Sequence, residues 1–361
     1  MKRKTAAVYD PYLDTLGGGE KHLLSIVKLL EKQDYAVKIF WDQDLTEVIK
    51  NRLNLEFTNL QFYPNIFRQR SWLKKILWLK QIDYFFYISD GSYFFSPAKK
   101  NFIFAMVPSY HLYPHNFINK LKTFNYRFIS NSQFTYHWLK QWGIESKVIY
   151  PVIDPIFLNT PNRVKKEKII LSVGRFFPQL HSKQQTAIIT AFNFLIKNNP
   201  QFSDWKLILV GGLKTEDSNY LKQLKKQTAN NRQIIFAPNL SFSQLFEYYQ
   251  KATLFWHFTG YQIDENQHPE MVEHLGIAPL EAMAQGAIVF CVNTGGPKEI
   301  IQTGKTGFLF GNQTELIAQT KKIINDPTKQ QLIIKQAKNF VQNNFGTTAF
   351  KKSVFANIIN A

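Results

Sequence analysis

The sequence predicts an α/β protein made of two doubly wound parallel-sheet domains. Short apolar runs of strand length alternate with stretches of helical period over almost the whole chain. Such alternation builds parallel sheets covered by helices on both faces. The alternation stops once, between Pro151 and Lys168, where Pro151, Pro155 and Pro161 precede a charged run; this is linker composition. A length of 361 residues with 45% hydrophobic content suffices for two cores and excludes wholesale disorder.

In chain order, Thr5–Tyr9 is the first strand. A glycine turn, Gly17, Gly18 and Gly19, leads into a helix from Glu20 to Lys32, on which Leu23, Leu24, Val27 and Leu30 recur at helical spacing. Ala36–Trp41, Tyr84–Ile88, Asn101–Val107, Arg127–Ile129 and Lys147–Ile149 are further strands, giving a first domain at residues 1–158. Beyond the linker, Ile169–Val173, Lys206–Val210, Gln233–Phe236, Thr253–Trp256 and Ala287–Phe290 are strands separated by helical stretches, giving a second domain at 159–336. Residues 337–361 read as a terminal helix carrying Phe340, Val341, Phe345, Phe350, Val354 and Phe355. There is no internal repeat and no low-complexity tract.

The most informative segment is Glu270 to Gly286. Gly276 lies three residues after Glu273, and Pro279 two residues before Glu281. Proline is tolerated in a first helical turn, so a helix start falls between the two carboxylates. The free N–H groups of Gly276, Ile277 and Ala278 suit a phosphate, and the carboxylates, which only accept hydrogen bonds, suit sugar hydroxyls. The alternative is a buried α/β loop with two solvated glutamates.

Ligands of doubly wound sheets bind beyond the carboxyl ends of the strands. That rule selects Gly174 and Arg175, with Lys183 eight positions after Arg175. Two cations there can hold a diphosphate, Arg with its planar fork and Lys as a point charge; the alternative is two surface cations in a basic chain. Gly211 and Gly212 form another tight turn. Gly295 and Gly296 precede Pro297 at a second helix start, a second possible anion cradle. Asp264 to His268 is polar loop without a second set of metal ligands, so no metal site is expected.

Lys plus Arg number 44 against 26 for Asp plus Glu, a net charge of +18. This favours anionic partners, although AT-biased coding also yields Lys-, Asn-, Ile- and Phe-rich chains. Local clustering is stronger evidence. Around the helical stretch 67–80, Arg70, Lys74 and Lys75 lie away from a face formed by Trp72, Leu73, Ile76 and Leu77, and Trp78 falls among the lysines. An indole among lysines suits an anionic membrane surface; the alternative is a solvated basic face. Cys291 is the single cysteine, so no internal disulfide forms, as in a reducing compartment, and its apolar strand makes it a packing residue. The basic N-terminus lacks the apolar core of a signal peptide, and no run has spanning length. A cytoplasmic protein, peripheral on the inner membrane face, is expected.

The chain resembles the retaining glycosyltransferases of family 4, over nearly its whole length. The resemblance rests on Gly17–Glu20, on Ser172–Arg175 with Lys183, on Glu273 and Glu281 with seven residues between them, and on Gly295–Glu299. Phe255–Gly260 ahead of Glu273 is similar to mannosyltransferase-like members that extend lipid-linked glycans. It implies the GT-B fold, two Rossmann-like domains facing a cleft, and transfer of a hexose with retention of configuration. The donor is then a GDP- or UDP-linked sugar, a substrate and no cofactor, and the acceptor a glycan or lipid-linked glycan. By the same resemblance Glu281 accepts from the ribose hydroxyls and Glu273 contacts the donor sugar. Arg175, Lys183 and the amides of Gly276 and Ile277 stabilise the departing diphosphate, which leaves a metal unnecessary. Gly17, Gly18 and Gly19 let the backbone approach donor or acceptor, and the last helix crosses back to the first domain.

The pattern departs from the family where a first-domain histidine is usual; Met106–Pro108 stands there, with His111 and His115 downstream as acceptor-side candidates or surface histidines. Two other readings stay open. A nucleic-acid binder would account for the charge, but no aromatic–basic module is present and no nucleic acid is expected. A silent sugar-nucleotide-binding subunit would not need Glu273, Glu281, Arg175 and Lys183 together.

Overall fold

The computed structural model describes residues 3–69, 71–159, 164–179, 182–228 and 231–360. Among these, thirteen strands form two parallel sheets. The first contains β1 (Thr5–Tyr9), β2 (Ala36–Phe40), β3 (Leu60–Tyr63), β4 (Tyr84–Ile88), β5 (Lys100–Ala105), β6 (Tyr126–Ser130) and β7 (Ser146–Val148), in the order β3-β2-β1-β4-β5-β6-β7. The second contains β8 (Glu167–Val173), β9 (Lys206–Gly211), β10 (Ile234–Pro238), β11 (Ala252–His257), β12 (Ile288–Val292) and β13 (Phe308–Phe310), in the order β10-β9-β8-β11-β12-β13. The order reverses between β1 and β4 in one sheet and between β8 and β11 in the other. Such reversals are the crevices where doubly wound sheets take ligands.

The chain forms two compact units, residues 1–152 with 350–361, and residues 153–349. These units divide at 152/153 and 349/350. From Ile153 on, the segment read as linker belongs to the second unit: its helix Pro155–Asn159 buries Phe157 against Phe242, Phe246 and Tyr249. The single terminal helix is instead Pro327–Phe345, then Thr347–Val354 after Gly346, then a π-helical end at Phe355–Ile359. Phe350, Val354 and Ile358 bury in the core of the first unit.

Both sheets are covered on both faces, so their central strands are apolar on each side. In β1, Ala6 and Val8 face one core and Ala7 and Tyr9 the other. The first core packs the helix Gly18–Glu31 and the chain's end; the second is dominated by aromatic rings, among them Phe40, Phe85, Tyr87 and Tyr113. Cys291 is fully buried in β12, and burial pushes its thiol well up, so it packs and stays protonated. Among the described residues no helix is long and apolar enough to cross a membrane.

In the helix Trp72–Leu79 the indole of Trp78 packs inward, 5.0 Å from the Tyr63 ring and 6.2 Å from Phe40, while Trp72, Leu73 and Leu77 are exposed. Trp78 is thus half-buried against Phe40 and Tyr63, with the Lys38 ammonium 5.7 Å from its ring. Lys74 is exposed, Lys75 lies with its ammonium 5.9 Å from the Phe67 ring, and Arg70 falls outside the described residues.

Candidate active site

The expected donor residues all lie in the second unit, and local structure explains how several of them meet. Arg175 and Lys183 follow β8, and His257 is the last residue of β11, the two strands at the order reversal. Lys183 must lie across the sheet end to be useful there. Gly174 allows this, because a Cβ at that position would strike the Lys183 stem, and a Cβ at Gly211 would strike the Gly174 carbonyl. Gly174 after β8 thus clears a path for the lysine, and Gly211 at the end of β9 leaves room for the Gly174 backbone.

That path ends on Glu273. One carboxylate oxygen, Oε2, accepts from Lys183 Nζ at 2.7 Å and from His257 Nε2 at 2.7 Å. Both glutamate and lysine side chains are about one-fifth exposed, at 17% and 21%. Burial pushes the Glu273 carboxyl up, but the Lys183 ammonium and the His257 ring outweigh it and hold the group well below the usual carboxylate range. Burial lowers His257, with Glu273 opposing and Lys183 adding to the fall, so the ring is a neutral donor to an ionised acid at pH 7.

The loop after Glu273 is held by the glycine pair. Gly295 and Gly296 pack so closely that added Cβ atoms would hit the Glu273 and His274 carbonyls. Their amides are committed: Gly295 N–H donates to Glu265 Oε2 at 2.5 Å, and Gly296 N–H to the Glu273 carbonyl at 2.8 Å. Glu265 also pairs with Lys298. The turn expected as a second anion cradle therefore already holds an internal carboxylate; its visible work is to shape the loop carrying Glu273.

Gly276, at φ 106°, caps the helix Ile277–Ala284. A side chain would be strained at that backbone angle and would crowd Pro279 and Ile300. Pro279 sits in the first turn, and the N–H groups of Ile277 and Ala278 belong to a turn with no intrahelical acceptors. Glu281 lies just beyond it. Its Oε2 accepts from Tyr249 Oη at 2.8 Å. Tyr249 is fully buried on the helix Phe242–Lys251, and burial together with Glu281 pushes its hydroxyl well above its ordinary value, so it remains a donor. Arg175 is exposed, its guanidinium 5.4 Å from the Phe177 ring.

Two partners were missed from sequence. His257 ends a strand, where the carboxyl-end rule points. Tyr249 sits 32 residues from Glu281 on an ordinary amphipathic helix, with no local signal. If Glu281 accepts from the hydroxyls of a bound ligand, Tyr249→Phe should weaken that ligand about fivefold, the value of a lost hydrogen bond of ~1 kcal/mol, with kcat nearly unchanged. Calorimetric titration with kinetics checks this; equal losses in kcat and affinity would contradict it.

The remaining expected residues are in the first unit. Gly17 N–H donates to Glu20 Oε2 at 2.6 Å, and a Cβ at Gly19 would strike Met106, so this turn is shaped by its own packing. His111 is exposed beside Tyr110. His115 is half-buried, and burial and then Lys120 lower its pKa. Asp264 Oδ1 caps a turn through Asn266 N–H at 2.9 Å. Among the described residues no group of three His, Cys, Asp or Glu side chains is placed to hold a metal ion.

Burial lowers His274 to about 4 and His22 to about 3. An unfolded chain takes up a proton on each near pH 6.5 that the native chain refuses. Stability should therefore fall as pH drops from 6.5 towards these values, by about 1.4 kcal/mol per pH unit for each histidine. Urea midpoints at pH 7.5 and 5 check this, and an unchanged midpoint would contradict it.

Residues 156–340 match the family model "Glycosyl transferases group 1". The chain is 27% identical over 244 residues to the GDP-Man:Man(3)GlcNAc(2)-PP-Dol alpha-1,2-mannosyltransferase of Homo sapiens, covering 63% of this chain and 47% of that protein. It is 27% identical over 259 residues to the alpha-1,3/1,6-mannosyltransferase ALG2 of Dictyostelium discoideum, covering 62% of this chain and 58% of that protein. The chain thus spans about half the length of these relatives. The crystal structure of Anabaena Alr3699/HepE in complex with UDP and glucose is similar in fold, with a TM-score of 0.71, 18% identity, and coverage of 99% of this chain and 100% of that one. The fold is GT-B, and the chain belongs to the group 1 glycosyl transferases.

Proposed function

We propose that the protein transfers a hexose from a GDP- or UDP-linked donor to a lipid-linked glycan, with retention of configuration, at the cytoplasmic face of a membrane. The observation that carries this reading is the Lys183–Glu273–His257 cluster at the sheet's order reversal, followed directly by the open first turn of the Glu281 helix. The names of the mannosyltransferase relatives support the donor and acceptor classes, and the basic character of the chain suits an anionic surface and a phosphorylated substrate.

In this reading Glu281 accepts from the ribose hydroxyls with Tyr249 fixing its carboxylate, and Glu273 contacts the donor sugar. The bond from the sugar's anomeric carbon to the diphosphate breaks as the acceptor oxygen bonds to that carbon from the same face. The acceptor's proton passes to the departing phosphate oxygen. Arg175, Lys183 and the amides of Gly276 and Ile277 bear the charge that develops on the diphosphate, so the reaction runs without a metal. Preorganised donors at developing charge are the main source of such acceleration. His257 is a positioning residue that keeps Glu273 aimed when Lys183 turns to the diphosphate.

The test is transfer from GDP-mannose and UDP-glucose to a polyprenyl-diphosphate-linked glycan in EDTA, with the anomeric configuration of the product read by NMR. An α-linked product from an α-linked donor is expected. An inverted product, or no transfer from either donor, would overturn the reading.

A further inference from the structure

Two helices of the first unit present large apolar residues to solvent. In the helix Phe117–Thr123, Asn119 and Thr123 turn towards the protein: Asn119 Nδ2 donates to the Pro114 carbonyl at 3.0 Å, and the buried Thr123 hydroxyl donates to the Asn119 carbonyl at 2.7 Å. Phe117, Ile118 and Leu121 point outward, joined by Phe124, which stacks on exposed Phe95 at 5.9 Å. The helix Trp72–Leu79 buries Leu79 and also turns Trp72, Leu73 and Leu77 outward. These two outward sets are 56–74% exposed. A helix that only had to meet water would place its apolar residues the other way, and clustered apolar exposure of this kind marks an interaction site.

The two helices share one support. Leu79 from one segment, and Tyr113 and Tyr126 flanking the other, bury in the same aromatic core. Phe94 bridges them, 5.1 Å from Phe67 and 6.4 Å from Tyr126. The sequence through each helix carries charge of one sign. No Asp or Glu occurs between Glu56 and Asp83, nor between Asp90 and Glu145. Lys74, Lys80, Lys120 and Lys122 are exposed along the two helices.

We infer that this face of the first unit is a membrane-docking surface that inserts Phe117, Ile118, Leu121, Phe124, Trp72 and Leu77 into the interface of an anionic bilayer, with the lysines on the headgroups. Apolar anchors ringed by cations and free of acids complement a negatively charged lipid surface. A protein partner of ordinary mixed charge would leave this long acid-free rim unmatched. The inference deepens the membrane-face part of the proposed function by naming the surface, and its test is binding alone, so it stands or falls apart from catalysis.

The experiment is co-sedimentation of the full chain with vesicles of phosphatidylcholine alone and with phosphatidylglycerol added. Alongside it run Phe117→Ser/Phe124→Ser and Trp72→Ser/Leu77→Ser, whose folding is checked by circular dichroism. The expected result is sedimentation with anionic vesicles only, weakened by salt, and lowered roughly tenfold or more in each double variant. The GDP-mannose- or UDP-glucose-induced thermal shift should stay as in the wild type. Wild-type protein left in the supernatant, or variants that sediment as well as the wild type, would overturn the inference. So would a wild-type dimer that the same substitutions disperse, since the face would then meet a second copy.

Discussion

Lys183→Met should slow transfer about 100- to 1000-fold, the usual cost of removing one preorganised donor from developing anionic charge. The lysine stem is guided over Gly174 to the end of β8, where its ammonium is the strongest single cation beside Glu273. Its loss also leaves Glu273 with His257 alone, so the carboxyl should rise towards its ordinary value. Sign and window follow from the depressed native carboxyl. The wild-type pair contributes stability above the unfolded carboxylate range, and this is lost as pH falls through the native value. The variant should therefore lose stability at neutral pH and show less further loss in acid. Initial rates of nucleoside-diphosphate release, with thermal melts at pH 7 and pH 4, check both parts. Turnover within threefold of the wild type would remove Lys183 from the chemistry.

Glu281→Ala should weaken donor affinity about 10- to 100-fold, as expected for hydrogen bonds to a charged acceptor worth ~1.5–3 kcal/mol. The effect should fall on binding more than on kcat, because ribose contacts are the same before and during transfer. It also leaves the buried Tyr249 hydroxyl without the 2.8 Å acceptor it now has, so a modest drop in melting temperature accompanies it. Glu281→Ala/Tyr249→Phe should recover part of that stability without recovering affinity. Isothermal titration and melts of the two variants distinguish these effects. Unchanged donor affinity in Glu281→Ala would contradict the ribose role.

Much of this was legible in the sequence for reasons that lie in local physics. Buried parallel strands announce themselves as apolar runs, as in Tyr84–Ile88 and Ile288–Val292. The helix start between Glu273 and Glu281 was marked by Gly276 and Pro279, residues chosen for backbone geometry. β3 and β13 were missed because Leu60–Tyr63 and Phe308–Phe310 are short edge strands, too brief to show a period. The inward turn of Trp78 on the Trp72–Leu79 helix was not legible, because periodicity gives the apolar face but not what that face meets. Neither the Lys183–Glu273 pair, 90 residues apart, nor the Tyr249–Glu281 bond has a sequence signal, since both are made by the fold. The Gly295–Gly296 turn shows the same limit from the other side. Its pattern resembles an anion cradle, and an anion does sit there, but it is the chain's own Glu265.

Hydrogen–deuterium exchange of the wild-type chain, with and without saturating GDP-mannose or UDP-glucose, tests the central claim most directly. The account expects donor-induced protection concentrated in residues 174–183 and 273–281, with little change at the Gly295–Gly296 turn, whose amides are already bonded. A nucleotide sugar that binds while those two segments exchange as in the free protein would contradict it.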